Sequence, residues 1–229
     1  MQVIKINPDK CKLCFACVRV CPANAIKTTE GSCEIVPERC IGCGSCLRIC
    51  PYDAIRDLDS KKEVRTLIRT GENVVAICDP SISGEFDDIT DYTNFVGMIK
   101  ALGFKYVCEV SFGADLVALK YRELFENFKG KYFITANCPA MVGYIERYHP
   151  SLIDNMAPLV SPMIATAQVV RGKYGQDIKV VYIGPCTAAK GEAHHLSDDK
   201  RIDIVLTFKE LREMFAEAGI TENNVEFSD

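Results

Sequence analysis

Cys11-Lys-Leu-Cys14-Phe-Ala-Cys17-Val-Arg-Val-Cys21-Pro22 returns 29 residues later as Cys40-Ile-Gly-Cys43-Gly-Ser-Cys46-Leu-Arg-Ile-Cys50-Pro51. Each copy reads as a tight loop, a helical turn, a proline and a short extended piece ending at Ile26 or Ile55. Around them, Val3–Ile6 and Cys33–Val36 alternate in the manner of short strands. Nine of the 13 cysteines lie between residues 11 and 50 of the 229-residue chain. A disulfide framework belongs to small secreted proteins, and the start, Met-Gln-Val-Ile-Lys-Ile-Asn-Pro, lacks the apolar run of a secretory signal. The expected compartment is the reducing cytoplasm, where clustered cysteines point to metal.

The spacing C-x2-C-x2-C-x3-C-P is that of bacterial ferredoxins, in which three close cysteines take three corners of one cubane and the fourth reaches the neighbouring cluster. By that rule Cys11, Cys14, Cys17 and Cys50 hold one 4Fe-4S cluster, and Cys40, Cys43, Cys46 and Cys21 hold the other. Zinc knuckles need two cysteine pairs rather than two interlocked fours, so they fit the pattern poorly. Gly42 and Gly44 let backbone amides approach the cluster sulfides, and Pro22 and Pro51 end the loops. Cys33 lies outside the repeat and reads as a buried packing thiol. Two such clusters form a wire for single electrons.

With 48% apolar and 25% charged residues, the chain has the composition of a folded globular protein. A net charge of -4 argues against nucleic acid or an anionic membrane as the main partner, and no apolar run is long enough to span a bilayer. Residues 1–58 are expected to form an α+β ferredoxin-like module, 59–72 a connecting helix closed by Gly71, and 73–229 an α/β domain with a mostly parallel sheet. The pattern predicts strands at Val74–Cys78, Tyr106–Val110, Tyr132–Thr135, Val180–Ile183 and Ile204–Leu206. Helices are predicted over 94–102, 114–128, 140–148, 163–173 and 208–218, with Gly103, Gly130, Gly172 and Gly219 as C-terminal caps. Ligands of such sheets gather beyond the carboxyl ends of the strands. There lie Asp79-Pro80-Ser81, Ser111-Phe112-Gly113, Asn137-Cys138-Pro139, Gly184-Pro185-Cys186 and Thr207. No phosphate-binding glycine loop is present.

From about Asn73 onward the chain resembles the catalytic domain of iron-only (FeFe) hydrogenases. Three stretches carry the likeness: Val-Ala-Ile-Cys78-Asp-Pro80-Ser81-Ile-Ser-Gly-Glu-Phe, then Thr135-Ala-Asn-Cys138-Pro139 with Ser161-Pro162-Met163 downstream, then Gly184-Pro185-Cys186-Thr-Ala-Ala-Lys190-Gly-Glu192. In that family four cysteines hold a cubane bridged to a two-iron site carrying CO and cyanide. The resemblance implies that Cys138 and Cys186 are two of those ligands and that Pro80, Ser81, Pro185 and Glu192 face the cofactor. The remaining two ligands come from a third signature, E-x-M-x-C-x-x-G-C, which this sequence lacks. Truncation of a longer protein is therefore expected.

The departures bear on activity. The family's proton-relay thiol is replaced by Asn137, whose amide does not ionise near neutral pH. The family lysine that meets a cyanide aligns with Ala189, one residue before Lys190; the methionine before Pro-Cys is Gly184, and the aromatic after the first signature is Met141. Lys120-Tyr121 stands where an acidic pair is usual. The resemblance thus implies an iron–sulfur oxidoreductase that turns over or senses hydrogen slowly, similar to the sensory branch of the family, with electrons supplied by a ferredoxin or another carrier protein. A third 4Fe-4S or two-iron cluster would sit at Cys138 and Cys186 if the missing ligands were supplied. The alternative is an electron-carrier or scaffold subunit whose hydrogenase-like domain has lost the two-iron site. Cys78 and Cys108 read as packing thiols, His194-His195 as part of an exposed loop, His149 as a helix-end residue, and Asp198-Asp199-Lys200-Arg201 as a solvated turn.

Overall fold

The computed structural model describes residues 2–70, 73–130, 133–194, 202–226 and 228. In chain order the cysteine-rich part contains β1 (Ile4–Ile6), α1 (Ala16–Val20), β2 (Ile26–Thr28), β3 (Cys33–Ile35), α2 (Ser45–Ile49) and β4 (Ile55–Asp57). Then come α3 (Lys61–Arg69), β5 (Val74–Cys78), α4 (Ile82–Glu85), α5 (Tyr92–Ala101), β6 (Tyr106–Glu109), α6 (Ser111–Glu126) and α7 (Pro139–Tyr148). The rest comprises α8 (Pro162–Tyr174), β7 (Lys179–Gly184), α9 (Ala188–Ala193), β8 (Ile204–Thr207) and α10 (Phe208–Ala218). By contact the chain forms two compact units: Met1–Leu58 with Phe128–Pro158 and Cys186–His195, and Asp59–Asn127 with Leu159–Pro185 and Leu196–Asp229.

The second unit is a four-stranded sheet in the order β6-β5-β7-β8, parallel throughout. All five residues of β5 are buried, as are five of the six in β7, so these inner strands read as apolar runs rather than alternations. Val74, Ala76 and Cys78 face a core with Val181, Ile183, Leu206, Phe86, Phe208 and Phe215. The intervening Val75 and Ile77 point to the opposite face, and α8 packs on β5. Fully burying such aliphatic side chains is worth about 1.5–3 kcal/mol each before entropy is counted. Thr207 and Glu210 form a capping box at the start of α10, and the Glu210 carboxylate also accepts the Ser60 N–H at 2.6 Å, which fixes the start of α3. Val64 of α3 is fully buried, with Leu67 and Ile68 packed beside it, as its narrow apolar face requires.

The strand order reverses between β5 and β7, the switch point at which ligand crevices form in open parallel sheets. Pro80 and Ser81 follow β5, and Pro185 follows β7; all three are exposed. Tyr182 donates its hydroxyl to Asp79 at 2.8 Å, and the same carboxylate accepts the Ser81 N–H at 3.0 Å.

Two expectations are corrected. The strand at Tyr132–Thr135 does not join the sheet: Ile134 makes an isolated parallel bridge to Met156, and Tyr132 lies outside the described residues. The Ile134 N–H goes to Asn155 and its carbonyl accepts from Ala157, so this backbone is satisfied within its own unit rather than by a sheet edge. Cys138 consequently does not follow a sheet strand. Neither Gly130 nor Gly172 is a cap: α6 ends at Glu126 and closes at Asn127, and α8 continues to Tyr174 and closes at Gly175, whose φ is +107°. Gly219, by contrast, caps α10 in the left-handed conformation.

Candidate metal centres

The two cysteine repeats impose the same backbone on different sequences. Positive φ occurs at Leu13 and Gly42, at Phe15 and Gly44, and at Asn24 and Asp53, three pairs each separated by the repeat length. Glycine adopts this region freely, whereas Leu13 and Phe15 do so at a cost of about 1–2 kcal/mol each. Such strain is retained where the surrounding fold requires the geometry. Phe15 and Gly44 sit immediately before α1 and α2, so each helix starts from a left-handed turn that folds the loop back over its own cysteines.

The loops enclose two cavities. Cys11, Cys14, Cys17 and Cys50 line one, of about 20 Å³, together with Cys33, Phe15 and Tyr52. Cys21, Cys40, Cys43 and Cys46 line the other, also of about 20 Å³, together with Ile26 and Ile35. The fourth cysteine of each repeat thus faces the cavity of the other repeat. The Cys21 sulfur accepts the Ala25 N–H at 3.3 Å, and Cys43 reaches Ser45 at 3.4 Å. Burial pushes the Cys46 thiol up to about 12, with neighbouring thiols adding to the shift, and burial also raises Cys17 and Cys40. Cys17 and Cys46 are buried, Cys14 is exposed and the other five are half-buried; four thiols lining one cavity ionise together when a cationic metal supplies the compensating charge. The donor set therefore fits soft, thiolate-held iron. Among the described residues no three His, Cys, Asp or Glu side chains converge tightly enough for a single ion.

Two stretches from the second half of the chain complete this unit. Tyr148, at the end of α7, donates its hydroxyl to the Ala23 carbonyl at 2.6 Å and lies 3.2 Å from that of Arg39. The hydroxyl of Thr187 donates to the Gly42 carbonyl at 2.7 Å. A Cβ on Gly44 would stand 2.9 Å from the same hydroxyl, and one on Gly42 would stand 3.4 Å from the Ala188 Cα, so the second cysteine loop lies directly on the turn that follows Cys186. Lys190 is 2% exposed; its ammonium reaches the Leu58 carbonyl and Asp57, the latter at 3.2 Å.

Cys186 is half-buried, whereas Cys138, the residue before α7, is exposed together with Asn137. Burial raises the Cys186 thiol, opposed by hydrogen bonds from Ala189 and Ala188, and the charge of Cys138 bears on it. Both cysteines belong to the same compact unit. A cavity of about 310 Å³ joins this region to the second cysteine loop, with Cys40, Gly42, Pro139, Arg147, Ala188 and Glu192 on its walls. Pro80, Ser81 and Pro185 belong to the other unit.

The profile of the iron-only hydrogenase large subunit, C-terminal domain, matches residues 72–229. The chain belongs to that family. Residues 7–61 match the LdpA Fe-S cluster-binding domain. The NADP-reducing hydrogenase subunit HndD of Solidesulfovibrio fructosivorans is 24% identical over 231 residues, covering 92% of this chain and 36% of that protein. A variant of FeFe hydrogenase HydA1 from Chlamydomonas reinhardtii superposes with a TM-score of 0.63 at 24% identity, over 75% of this chain and 50% of that one. HydA(deltaEFG), from a structure describing stepwise assembly of the FeFe-hydrogenase H-cluster, gives a TM-score of 0.62 at 25% identity with the same coverage. The chain thus spans about a third to a half of the length of these relatives. It is a hydrogenase-like iron–sulfur protein with an iron–sulfur-binding module ahead of a parallel-sheet domain.

Three features of this family member were not visible in its sequence. Lys190 aligned only as a lysine one place late, yet it is a buried cation against the end of the cysteine-rich module. Thr187 carried no motif, and its bond to Gly42 appears only once the chain is folded. Cys33 packs in the module core as expected, but it also lines the first cysteine cavity. His194 is exposed, as its polar loop implied; His195 and 198–201 lie outside the described residues.

Proposed function

We propose that this protein is an iron–sulfur oxidoreductase of the hydrogenase plan. In this reading Cys11, Cys14, Cys17 and Cys50 hold one 4Fe-4S cluster, and Cys40, Cys43, Cys46 and Cys21 hold a second. Cys138 and Cys186 contribute to a further iron site together with ligands from elsewhere. When bound, the clusters supply single-electron transfer at potentials tuned by hydrogen bonds, charge and solvent exposure. The chain's own contribution is to hold the pieces in register. Thr187 ties the second cysteine loop to the turn carrying Cys186, and Tyr148 anchors the helix that begins beside Cys138. The observation that carries the reading is this Thr187–Gly42 bond, because it sets the second cysteine loop directly against the Cys186 turn.

Electrons would arrive from a ferredoxin or another carrier protein at the cysteine-rich module and pass toward Cys186. Hydrogen production consumes two protons and two electrons, and Asn137 provides no ionisable proton where the family uses a thiol. Slow turnover or a redox-sensing role in the cytoplasm follows from that substitution. In domain terms, 1–58 serves as the relay, 59–72 as connector and 73–229 as the hydrogenase-like part.

A second reading is favoured by Lys190. Its ammonium is committed to Leu58 and Asp57, and Ala189 has no side chain to meet a cyanide. The protein would then be an electron-carrier or scaffold subunit without the two-iron site. The two readings separate when iron is counted in anaerobically purified wild type and in Cys186→Ser. The first reading predicts that wild type carries about four more irons than the variant, with the same module signals in EPR. Equal iron in the two would contradict it in favour of the carrier.

A further inference from the structure

The two cysteine cavities are built by one repeat, yet they are not equivalent. The second is lined by four cysteines; the first is lined by five, because Cys33 joins Cys11, Cys14, Cys17 and Cys50. Cys33 is 2% exposed and stands on the wall of the cavity that Cys11 and Cys17 also line. A cubane takes four thiolates, so one sulfur at this cavity is in excess. Resting on the two-cluster reading above, we propose that Cys33 is a reserve ligand that takes the place of Cys11 or Cys17 on the first cluster when either is lost.

Placement supports this role. Cys33 is the first residue of β3 and pairs with Thr28 at the closing end of a hairpin. Its loop, Thr29–Ser32, turns through Gly31 at φ +97° and is held by the Thr29 N–H to Ser32 carbonyl bond. Cys33 shares the module core with Ile26 and Ile35, which holds its sulfur at the wall of the first cavity. The exchange balances without any oxidant: Cys33 gives up its thiol proton to the departing cysteine sulfur or, where that cysteine is absent, to solvent, and its thiolate forms the iron–sulfur bond that the lost ligand leaves open, with no change in electron count. The second cavity, with Ile35 from the same strand and no fifth cysteine, is the internal control.

The test uses iron and sulfide counts with EPR of the reduced full chain. Wild type holding at least about eight irons is the precondition, and fewer would overturn the two-cluster reading itself rather than this inference. Cys11→Ala and Cys17→Ala are each expected to retain the wild-type count, whereas Cys11→Ala/Cys33→Ala and Cys17→Ala/Cys33→Ala lose about four irons. Cys43→Ala, which has no reserve, loses about four alone. Loss of the first-site irons in both single variants, with the second-site signal intact, overturns the proposal. Cys33→Ala alone covers the case in which those variants fail to fold. It is expected to retain the wild-type iron count, because Cys33 takes up iron only when Cys11 or Cys17 is lost; loss of the first-site irons in this variant would make Cys33 a resident ligand and overturns the proposal.

Discussion

Lys190 shows how a single side chain can change meaning between alignment and structure. It lies on α9 and is buried, and its ammonium meets Asp57 at 3.2 Å and the Leu58 carbonyl. Removing one member of such a pair leaves the other insufficiently solvated, although the Asp57 side chain keeps 25% of its surface. Lys190→Ala is expected to lower stability by about 3 kcal/mol, read as a shift of the urea midpoint, with the iron of the two cysteine loops retained. A midpoint within experimental scatter of wild type would mean that the pair is solvated and adds little. Sequence could not reveal this role because Asp57 and Lys190 are 133 positions apart, and no local pattern links a surface-type residue to a distant carboxylate. The grouping of the eight repeat cysteines around two cavities was legible because it follows from short spacings. Cys33 was legible only as buried, since its cavity is assembled from a hairpin and two separate loops.

At the level of elements, the legible parts were those whose pattern leaves no competing arrangement. Val74–Cys78 is a continuous apolar run between polar residues, and it forms the strand its sequence predicts. Tyr132–Thr135 has similar composition, but among its described residues only Ile134 forms a bridge, and its partner is Met156 rather than a strand of the sheet. Glycine carries a like ambiguity. Gly172 has the sequence context of a cap but lies inside α8, where a Cβ would meet nothing within 4 Å. Gly113 lies inside α6, where a Cβ would fall 2.1 Å from the Thr166 hydroxyl and 2.6 Å from the Pro162 carbonyl. The crossing of α6 on α8 depends on that missing side chain. Gly172→Ala is therefore expected to stabilise by about 0.5–1 kcal/mol through helix propensity. Gly113→Ala is expected to destabilise by about 1–3 kcal/mol through overpacking. Thermal unfolding of the two variants side by side checks both, and a stabilising Gly113→Ala would contradict the close approach.

Over the whole molecule, the family match and the contact units divide the chain differently. The family profile covers 72–229, yet 128–158 and 186–195 pack with the cysteine-rich module. Linear motif reading separates a relay from a catalytic part, whereas folding places Cys138 and Cys186 in the same compact unit as the eight repeat cysteines. That arrangement depends on contacts of high sequence separation, such as Thr187 to Gly42 and Tyr148 to Ala23, which local pattern does not encode. Among the described residues no helix is long and apolar enough to cross a membrane. The central claim is that the interlocked cysteines hold two neighbouring cubanes. Its most direct test is iron and acid-labile sulfide per chain after anaerobic purification, with EPR of the dithionite-reduced protein. The account predicts at least about eight of each and a spectrum split by coupling between two reduced clusters. Zinc in place of iron, or about four irons with an unsplit signal, would contradict it.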